Sequence, residues 1–162
     1  MGRKSGLSLV PISSSPGRKL HRAHARMQQG LTQLFRNAGY EITTEAWVLL
    51  RHLWDRDRLT QCELGERVEK DRHNISRLVD ALEEQGFVER RAARGDRRIR
   101  EVALTRKGRA AQTPLMGIAA AFLKETFAGL SPEQIDSFLA TLDHIISRLE
   151  RSEVHVRRRA SS

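Results

Sequence analysis

The feature that most constrains the fold is a change of hydrophobic period at Gly86. Between residues 71 and 86 the apolar side chains recur at the i, i+3, i+4, i+7 spacing of a helix. They are Ile75, Leu78, Val79 and Leu82. Over residues 87–91 and 99–104 apolar and polar residues alternate instead, and a polar link containing Gly95 joins the two runs. The pattern predicts an amphipathic helix that ends at Gly86 and is followed by a β-hairpin.

A second, shorter helix is predicted directly before this one. Thr60 and Glu63 have the spacing of a capping box, in which a hydroxyl and a carboxylate satisfy the first N–H groups of a helix. Leu64 and Val68 give that helix an apolar side, and Asp71 can cap the helix that follows. Two short helices a few residues apart, the second strongly amphipathic, form the pattern of a helix-turn-helix. With the hairpin attached, the pattern is that of a winged helix-turn-helix.

The flanking segments are also helical in period, and Pro114 predicts a kink in one of them. We expect a mainly α-helical (α+β) chain with a small β-wing. Its predicted parts are a disordered basic arm over 1–17, dimerisation helices over 18–38 and 106–153, a winged helix-turn-helix domain over 42–105, and a basic tail over 154–162. A domain this small cannot cover the apolar stripes of all the flanking helices, so we expect a homodimer.

The positive charge is concentrated on the hairpin. The formal net charge of the chain is +9. Residues 41–86 hold seven Lys and Arg against eleven Asp and Glu, whereas residues 87–109 hold nine against three. A focused basic patch indicates a nucleic-acid partner. Aromatic residues make up only 5% of the chain, which argues against the stacking platforms of single-strand binders and favours double-stranded DNA.

Composition also indicates the cellular compartment of the protein. No apolar run approaches the length of a membrane span, so no membrane partner is expected. The single cysteine, Cys62, excludes an intramolecular disulfide framework. We therefore expect a cytoplasmic protein with a reduced thiol.

The helix over 71–86 carries a candidate DNA-reading face. With its apolar stripe turned inward, the polar residues near its N-terminus point outward, namely Arg72, His73, Asn74, Ser76 and Arg77. Arginine can bond to both guanine O6 and N7, and asparagine can do the same for adenine N6 and N7. Serine and histidine can reach base edges or phosphates, and a helix N-terminus itself attracts phosphate. The alternative is an ordinary solvated face.

The hairpin tip carries the second candidate contact. Asp96, Arg97 and Arg98 lie in it, and basic tips can enter the narrow, electronegative minor groove. Asp96 is close enough in sequence to hold the Arg98 guanidinium by a charge-assisted bond, which would lower the entropy cost of insertion. For three other basic residues a solvated charge and a phosphate contact are equally good interpretations, namely Arg90, Arg91 and Arg106.

Together these residues resemble the MarR family of bacterial regulators. The resemblance lies in Leu64 and Val68, in the run from Arg77 through Asp80 to Gly86, in Val88 and Arg90, in Asp96-Arg97-Arg98, and in Leu104-Thr105-x-x-Gly108. It is detailed over residues 42–110, and the wing motif is its most specific part.

The resemblance implies a triangular homodimer that places recognition helices in successive major grooves and wing arginines in the flanking minor grooves. Arg98 would be the minor-groove residue, Asp96 its brace, and Arg77 a major-groove or phosphate contact. Members of the family often bind small aromatic or phenolic anions between the dimer helices and the DNA-binding lobe. Here the residues available for such a cleft are His24, Met27, Trp47, Arg51 and His52.

Other functions have less support in the sequence. No nucleophile–base pair or phosphate-binding glycine loop is present, so no catalytic residue is assigned and no enzyme is expected. The histidines lack the paired spacing of metal ligands, so neither a metal nor another cofactor is expected. Cys62 is interpreted as a thiol without a chemical role, with an oxidant-sensing thiol as the alternative.

The sequence therefore predicts a repressor of a near-palindromic operator that is released by a small effector. The alternative is a winged-helix protein-interaction module or a nonspecific architectural DNA-binding module.

Overall fold

A computed structural model describes residues 15–93, 95 and 98–160, with side chains as far as residue 151. In these ranges the helices are α1 (Pro16–Asn37), α2 (Thr44–Asp55), α3 (Gln61–Val68), α4 (Arg72–Glu84), α5 (Arg106–Ala110), α6 (Gln112–Thr126) and α7 (Pro132–Ala160). The strands are β1 (Leu59–Thr60), β2 (Val88–Ala92) and β3 (Arg100–Leu104). The chain is mainly helical with one small sheet, as predicted.

The first helix begins two residues before the predicted start at residue 18. The Ser15 hydroxyl accepts a hydrogen bond from the Arg18 N–H, at 3.3 Å, and Pro16 occupies the first turn, where a missing N–H costs nothing. Pro16 and Gly17, predicted to lie in the disordered arm, therefore belong to α1. Residues 1–14 of that arm lie outside the described residues.

Local hydrogen bonds set the limits of α3 and α4 as predicted. Thr60 and Glu63 form the capping box, each side chain bonded to the other residue's N–H. The Asp71 carboxylate caps α4 by accepting from the Asn74 N–H at 2.9 Å. After α4, Gly86 has a φ of 73°, a conformation that glycine adopts without a Cβ clash. The turn between helix and wing therefore depends on this glycine.

The sheet has three antiparallel strands in the order β1-β3-β2, whereas the sequence predicted only the hairpin. The hairpin register pairs Val88 with Leu104 and Ala92 with Arg100. The additional strand, β1, was missed because two residues carry no detectable period. It pairs Leu59 with Val102 and so attaches the start of the helix-turn-helix to the base of the wing.

The last helices differ from the prediction at their ends. The first of the helices predicted within 106–153 is interrupted at Ala111, where α5 gives way to α6. Pro114 explains the position of the break, because it cannot donate to the Ala110 carbonyl and its ring crowds that oxygen. The helix predicted to end at residue 153 continues to Ala160, since no Gly or Pro interrupts residues 154–160. Most of the predicted tail is therefore helical.

The contacts divide the chain into two compact units, Met1–Ala120 and Ala121–Ser162. The core of the first unit is formed by the inward stripes of α2 and α4 against α3 and the sheet. Its fully buried side chains include Leu49, Leu50, Leu53, Leu64, Ile75, Val79 and Phe87. In the second unit Phe127 packs on Phe138, with ring centroids 6.3 Å apart. No helix of the described residues is long and apolar enough to cross a membrane.

Candidate nucleic-acid interface

Helix α4 presents a polar face to the surface because its opposite, apolar face is buried in the core. The four apolar residues of the predicted stripe are all buried. The five predicted DNA contacts lie away from the core: Arg72, His73 and Arg77 are exposed, while Asn74 and Ser76 are half-buried. The amphipathic spacing therefore does place these side chains at the surface.

Asn74 has a more defined environment than its neighbours. Its side-chain Nδ2 donates to the second oxygen of Asp71 at 2.8 Å, in addition to the capping bond to the first. The hydrogen bonds from the Asn74 backbone and side chain hold the pKa of Asp71 below its usual value. Because an ionised carboxylate only accepts hydrogen bonds, the nitrogen of the Asn74 amide must face Asp71. The amide oxygen is thereby left to face other partners.

A groove of about 700 Å³ lies between the helix-turn-helix and the wing. Five of its lining residues are basic, and they come from the turn before α4, from α4 itself and from both sides of the wing. These residues are Lys70, Arg72, Arg90, Arg98 and Arg100. The remaining lining residues are Gln61, Cys62, Gly65, Glu66, Ser76 and Val102. The fold thus collects basic side chains that are up to 30 positions apart, from Lys70 to Arg100, on one concave surface.

The groove brings together only part of the predicted DNA-contact set. Arg72, Ser76 and Arg98 line it, whereas His73, Asn74 and Arg77 are on α4 outside its lining. Arg98 is exposed at the end of the wing. Asp96 and Arg97 lie outside the described residues, so the bond between Asp96 and Arg98 stays a prediction.

Arg90 has a structural role that the sequence left undecided. Its guanidinium forms ion pairs with Asp80 and Glu83 of α4. Burial would lower the pKa of Arg90, but the bonds to the two carboxylates outweigh it and raise the pKa. Arg91, the next residue on β2, is exposed and pairs with Glu89 of its own strand at 2.5 Å. Nothing in the sequence separates these two arginines, because the partners of Arg90 lie on another element.

The fold agrees with comparisons to known proteins. A sequence model of the MarR family matches residues 42–99. The HTH-type transcriptional regulator PrsX of Escherichia coli is 27% identical over 131 residues, which are 80% of this chain and 78% of PrsX. The crystal structure of a probable transcriptional regulator from Pseudomonas aeruginosa superposes with a TM-score of 0.73 at 25% identity, covering 83% of this chain and 99% of that one. The helix-turn-helix and the wing of this chain are therefore MarR-like.

The same likeness indicates the class of activity. The chain has the DNA-binding winged helix of MarR-like transcription regulators. A further structure with the same fold is that of the Bordetella bronchiseptica regulator BpsR. It superposes with a TM-score of 0.74 at 22% identity and covers 85% of this chain and 97% of that one.

The MarR-motif glycine at position 108 has a clear structural reason. A Cβ at this position would lie 2.0 Å from the Phe87 carbonyl oxygen. The Gly108 carbonyl also accepts a hydrogen bond from Trp54 Nε1 at 2.9 Å. The close approach of α5 to the strand that begins the wing therefore requires glycine, and it ties α2 to the same point.

Asp57 organises the same region and was not singled out in the sequence. One carboxylate oxygen accepts from the backbone N–H groups of Arg58 and Leu104, each at 2.9 Å, and the other pairs with Arg109 at 2.5 Å. Burial alone would raise the pKa of Asp57, but these hydrogen bonds and the Arg109 charge lower it overall. Only the tertiary fold brings these partners, up to 52 positions away, into contact.

The predicted effector residues are on α1 and α2, and two of them, Trp47 and Arg51, are in contact. Trp47 is 9% exposed and packs on Phe35, with ring centroids 5.7 Å apart, while the Arg51 guanidinium lies 5.1 Å from the Trp47 ring centroid. Burial, Arg67 and Arg51 lower the pKa of the nearby His52. Among the described residues the indole N–H of Trp47 is buried and has no hydrogen-bond partner. His24 is exposed and Met27 half-buried on α1.

Proposed function

We propose that the chain is a homodimeric repressor that binds a near-palindromic duplex operator and is released by a small aromatic or phenolic effector. The observation that carries the proposal is the basic groove, because it joins the exposed face of α4 to the wing on one surface. A protein that only bound other proteins would have no need to focus this charge between a recognition helix and a wing.

Each part of this surface has a role in the proposal. Helix α4 enters the major groove, where Arg72 and Arg77 contact guanine edges or phosphates and Asn74 contacts adenine. His73 and Ser76 reach base edges or phosphates from the same helix. In this proposal Arg97 and Arg98 of the wing contact the minor groove, and Asp96 holds the Arg98 guanidinium in one orientation by a charge-assisted bond.

Exposed apolar residues on the outer helices support the homodimer. On α7 the exposed large apolar residues follow one stripe, and Leu139 and Leu149 are 51% and 60% exposed. Leu20 and Leu34 of α1 and Met116 and Leu123 of α6 are also exposed. Because monomeric proteins rarely leave apolar surface of this extent uncovered, we assign it to a second copy of the chain. Two-fold symmetry would then set two half-sites about one helical turn, roughly 34 Å, apart.

The environment of Trp47 supports effector binding. A buried N–H without a partner costs free energy, and an acceptor on a bound molecule would relieve that cost. Arg51 beside the indole supplies a positive charge for a phenolate or carboxylate. The DNA binding of BpsR, which shares this fold, is regulated by 6-hydroxynicotinic acid, a small aromatic acid. We therefore place the effector near Trp47, Arg51 and His52, with His24 and Met27 on the facing side of the same cleft.

Selection of bound duplexes from a random library, at near-physiological salt and followed by sequencing, tests the DNA-binding part of the proposal. We expect a two-fold symmetric motif with half-sites one turn apart. Arg98→Ala should bind the selected duplex more weakly, by a factor of about ten for one lost contact. Salt-sensitive binding with no motif would contradict the proposal and favour an architectural role. A failure to bind duplex DNA would favour a protein-interaction module.

A further inference from the structure

Arg90 joins three elements of the DNA-binding lobe through one side chain. From β2 its guanidinium pairs with Asp80 and Glu83, both on α4, and its backbone N–H donates to Glu83 Oε1 at 2.8 Å. With the Gln61 amide turned to satisfy its partners, the Gln61 oxygen accepts from Arg90 Nη2 and Nε at 3.0 and 3.1 Å. Gln61 is on α3, so both helices of the helix-turn-helix hold the same wing residue.

The Arg90 side chain is less exposed than that of its neighbour on the strand. Its side chain is 25% exposed, against 52% for Arg91 on the same strand. Its Nε and both terminal nitrogens are engaged with protein acceptors. An arginine used in this way is poorly placed to leave its partners for a phosphate, because two carboxylates would then be left without their cation.

The position of Arg90 along the strand gives the contacts a mechanical consequence. Arg90 pairs with Val102, two positions before the pair of Ala92 with Arg100 at which the described ladder ends. Strands advance about 3.3 Å per residue, so Arg90 holds the wing roughly 7 Å from the end of the ladder. A small tilt at this base becomes a larger displacement at the tip, where Arg98 lies.

We propose that Arg90 is a positioning residue, which sets the angle of the wing against α4 so that wing and helix reach adjacent grooves of one duplex together. The inference rests on the proposed function and adds a prediction about specificity. Preference for the bases flanking each half-site, where the wing meets the minor groove, depends on the bonds from Arg90 to Asp80 and Glu83. Preference for the bases within the half-site, which α4 reads, does not depend on these bonds.

The contrasting explanation is that Arg90 only neutralises two carboxylates that would otherwise repel phosphates. The paired variant Asp80→Asn with Glu83→Gln separates the two explanations, because it removes two negative charges, which raises the net charge by two, and also removes the ion pairs. Charge neutralisation alone predicts tighter binding with unchanged flank preference. The positioning role predicts reduced flank preference despite the higher net charge.

The test uses the full-length parent, Arg90→Met, the paired variant, and Arg91→Met as a control that removes the same charge from the same strand. Each is titrated against the duplex selected by the parent and against versions altered in the flank or in the half-site. We expect the affinity ratio between duplexes with selected and altered flanks to fall about tenfold in Arg90→Met and in the paired variant, because about one base contact is lost. This ratio should persist in Arg91→Met. Half-site discrimination should persist in all four proteins.

Two results would overturn the inference while leaving the proposed function intact. One is equal flank discrimination in Arg90→Met and Arg91→Met. The other is tighter binding of the paired variant to every duplex with its flank discrimination unchanged. If Arg90→Met does not fold, as judged by circular dichroism, the paired variant decides the outcome alone. A parent without any selected motif would overturn the proposed function and this inference with it.

Discussion

Gly108→Ala provides a sharp test of how the wing is attached to the rest of the lobe. The added Cβ would lie 2.0 Å from the Phe87 carbonyl oxygen and 3.1 Å from Leu104 Cδ2. Ordinary contacts of this kind begin near 3.4 Å, so the backbone of α5 or β2 must move by more than an ångström. The Phe87 oxygen also accepts from the Thr105 N–H at 3.0 Å, and the Gly108 oxygen accepts from Trp54 at 2.9 Å. The movement would strain both bonds.

The cost of this substitution can be worked from those contacts. Overpacking of a close site costs about 1–3 kcal/mol. Weakening two hydrogen bonds adds about 1 kcal/mol each. The helical preference of alanine over glycine returns about 1 kcal/mol. The net loss in the free energy of unfolding is therefore about 3 kcal/mol, a large share of the roughly 5–15 kcal/mol available to a domain.

Urea denaturation followed by circular dichroism measures this loss. With a slope of about 2 kcal/mol per molar urea, the midpoint of Gly108→Ala should fall by about 1.5 M. Gly17→Ala is the matched control, because a Cβ there meets nothing within 4 Å, and its midpoint should equal or exceed that of the parent, since alanine favours the helix. All proteins are compared at one concentration, because the stability of the proposed dimer would depend on it. A loss below about 1 kcal/mol in Gly108→Ala would refute the packing argument.

Three further predictions follow from individual side chains. Asp57→Asn should destabilise the protein at neutral pH, because a carboxyl whose pKa is lowered by folding stabilises above its unfolded pKa of about 4. Urea titrations should show that the difference in unfolding free energy between this variant and the parent vanishes as the pH falls through the lowered pKa of Asp57. A difference that persisted at pH 2 would contradict this prediction. Asp71→Ser keeps an N-cap residue but removes the carboxylate that holds the Asn74 amide. Duplex selection with this variant should return a broader base preference at one position. An unchanged motif would count against a role of the Asn74–Asp71 bond in orienting the amide. Trp47→Phe removes the buried N–H, so an aromatic acid that releases the parent from DNA should act about tenfold more weakly on this variant; equal release would place the effector elsewhere.

Features set by neighbouring residues were predictable from the sequence. The capping box of Thr60 with Glu63 and that of Ser131 with Gln134 both form, because each needs only residues three positions apart. The inward stripe of α4 was predictable for the same reason, since the helical period alone fixes which residues share a face. The exposure of Arg72, His73 and Arg77 then followed from that stripe.

Features set by distant partners were not predictable. Strand β1 consists of two residues and exists because Leu59 finds Val102 across the fold. Arg90 and Arg91 look equivalent in the sequence, and only the approach of α4 to β2 gives Arg90 its two carboxylates. Sequence spacing predicted an outward Asn74 but not the bond from its amide to Asp71, which depends on side-chain orientation.

In the proposed function duplex DNA binds to the surface formed by α4 and the wing, and is not simply attracted to a chain of net charge +9. Two triple variants that each lose three positive charges distinguish these two modes of binding. One replaces Arg72, Arg77 and Arg98 by alanine. The other replaces three basic residues of the exposed face of α1 by alanine, Arg18, Arg22 and Arg26.

The measurement is the affinity for the selected duplex across a salt series. We expect the first variant to bind the duplex at least about a hundredfold more weakly than the parent. The slope of its salt dependence should fall by about one unit for each phosphate contact removed. The α1 variant should bind nearly as the parent does. An equal loss in both variants would show that net charge alone governs binding, and it would contradict the assignment of the interface to α4 and the wing.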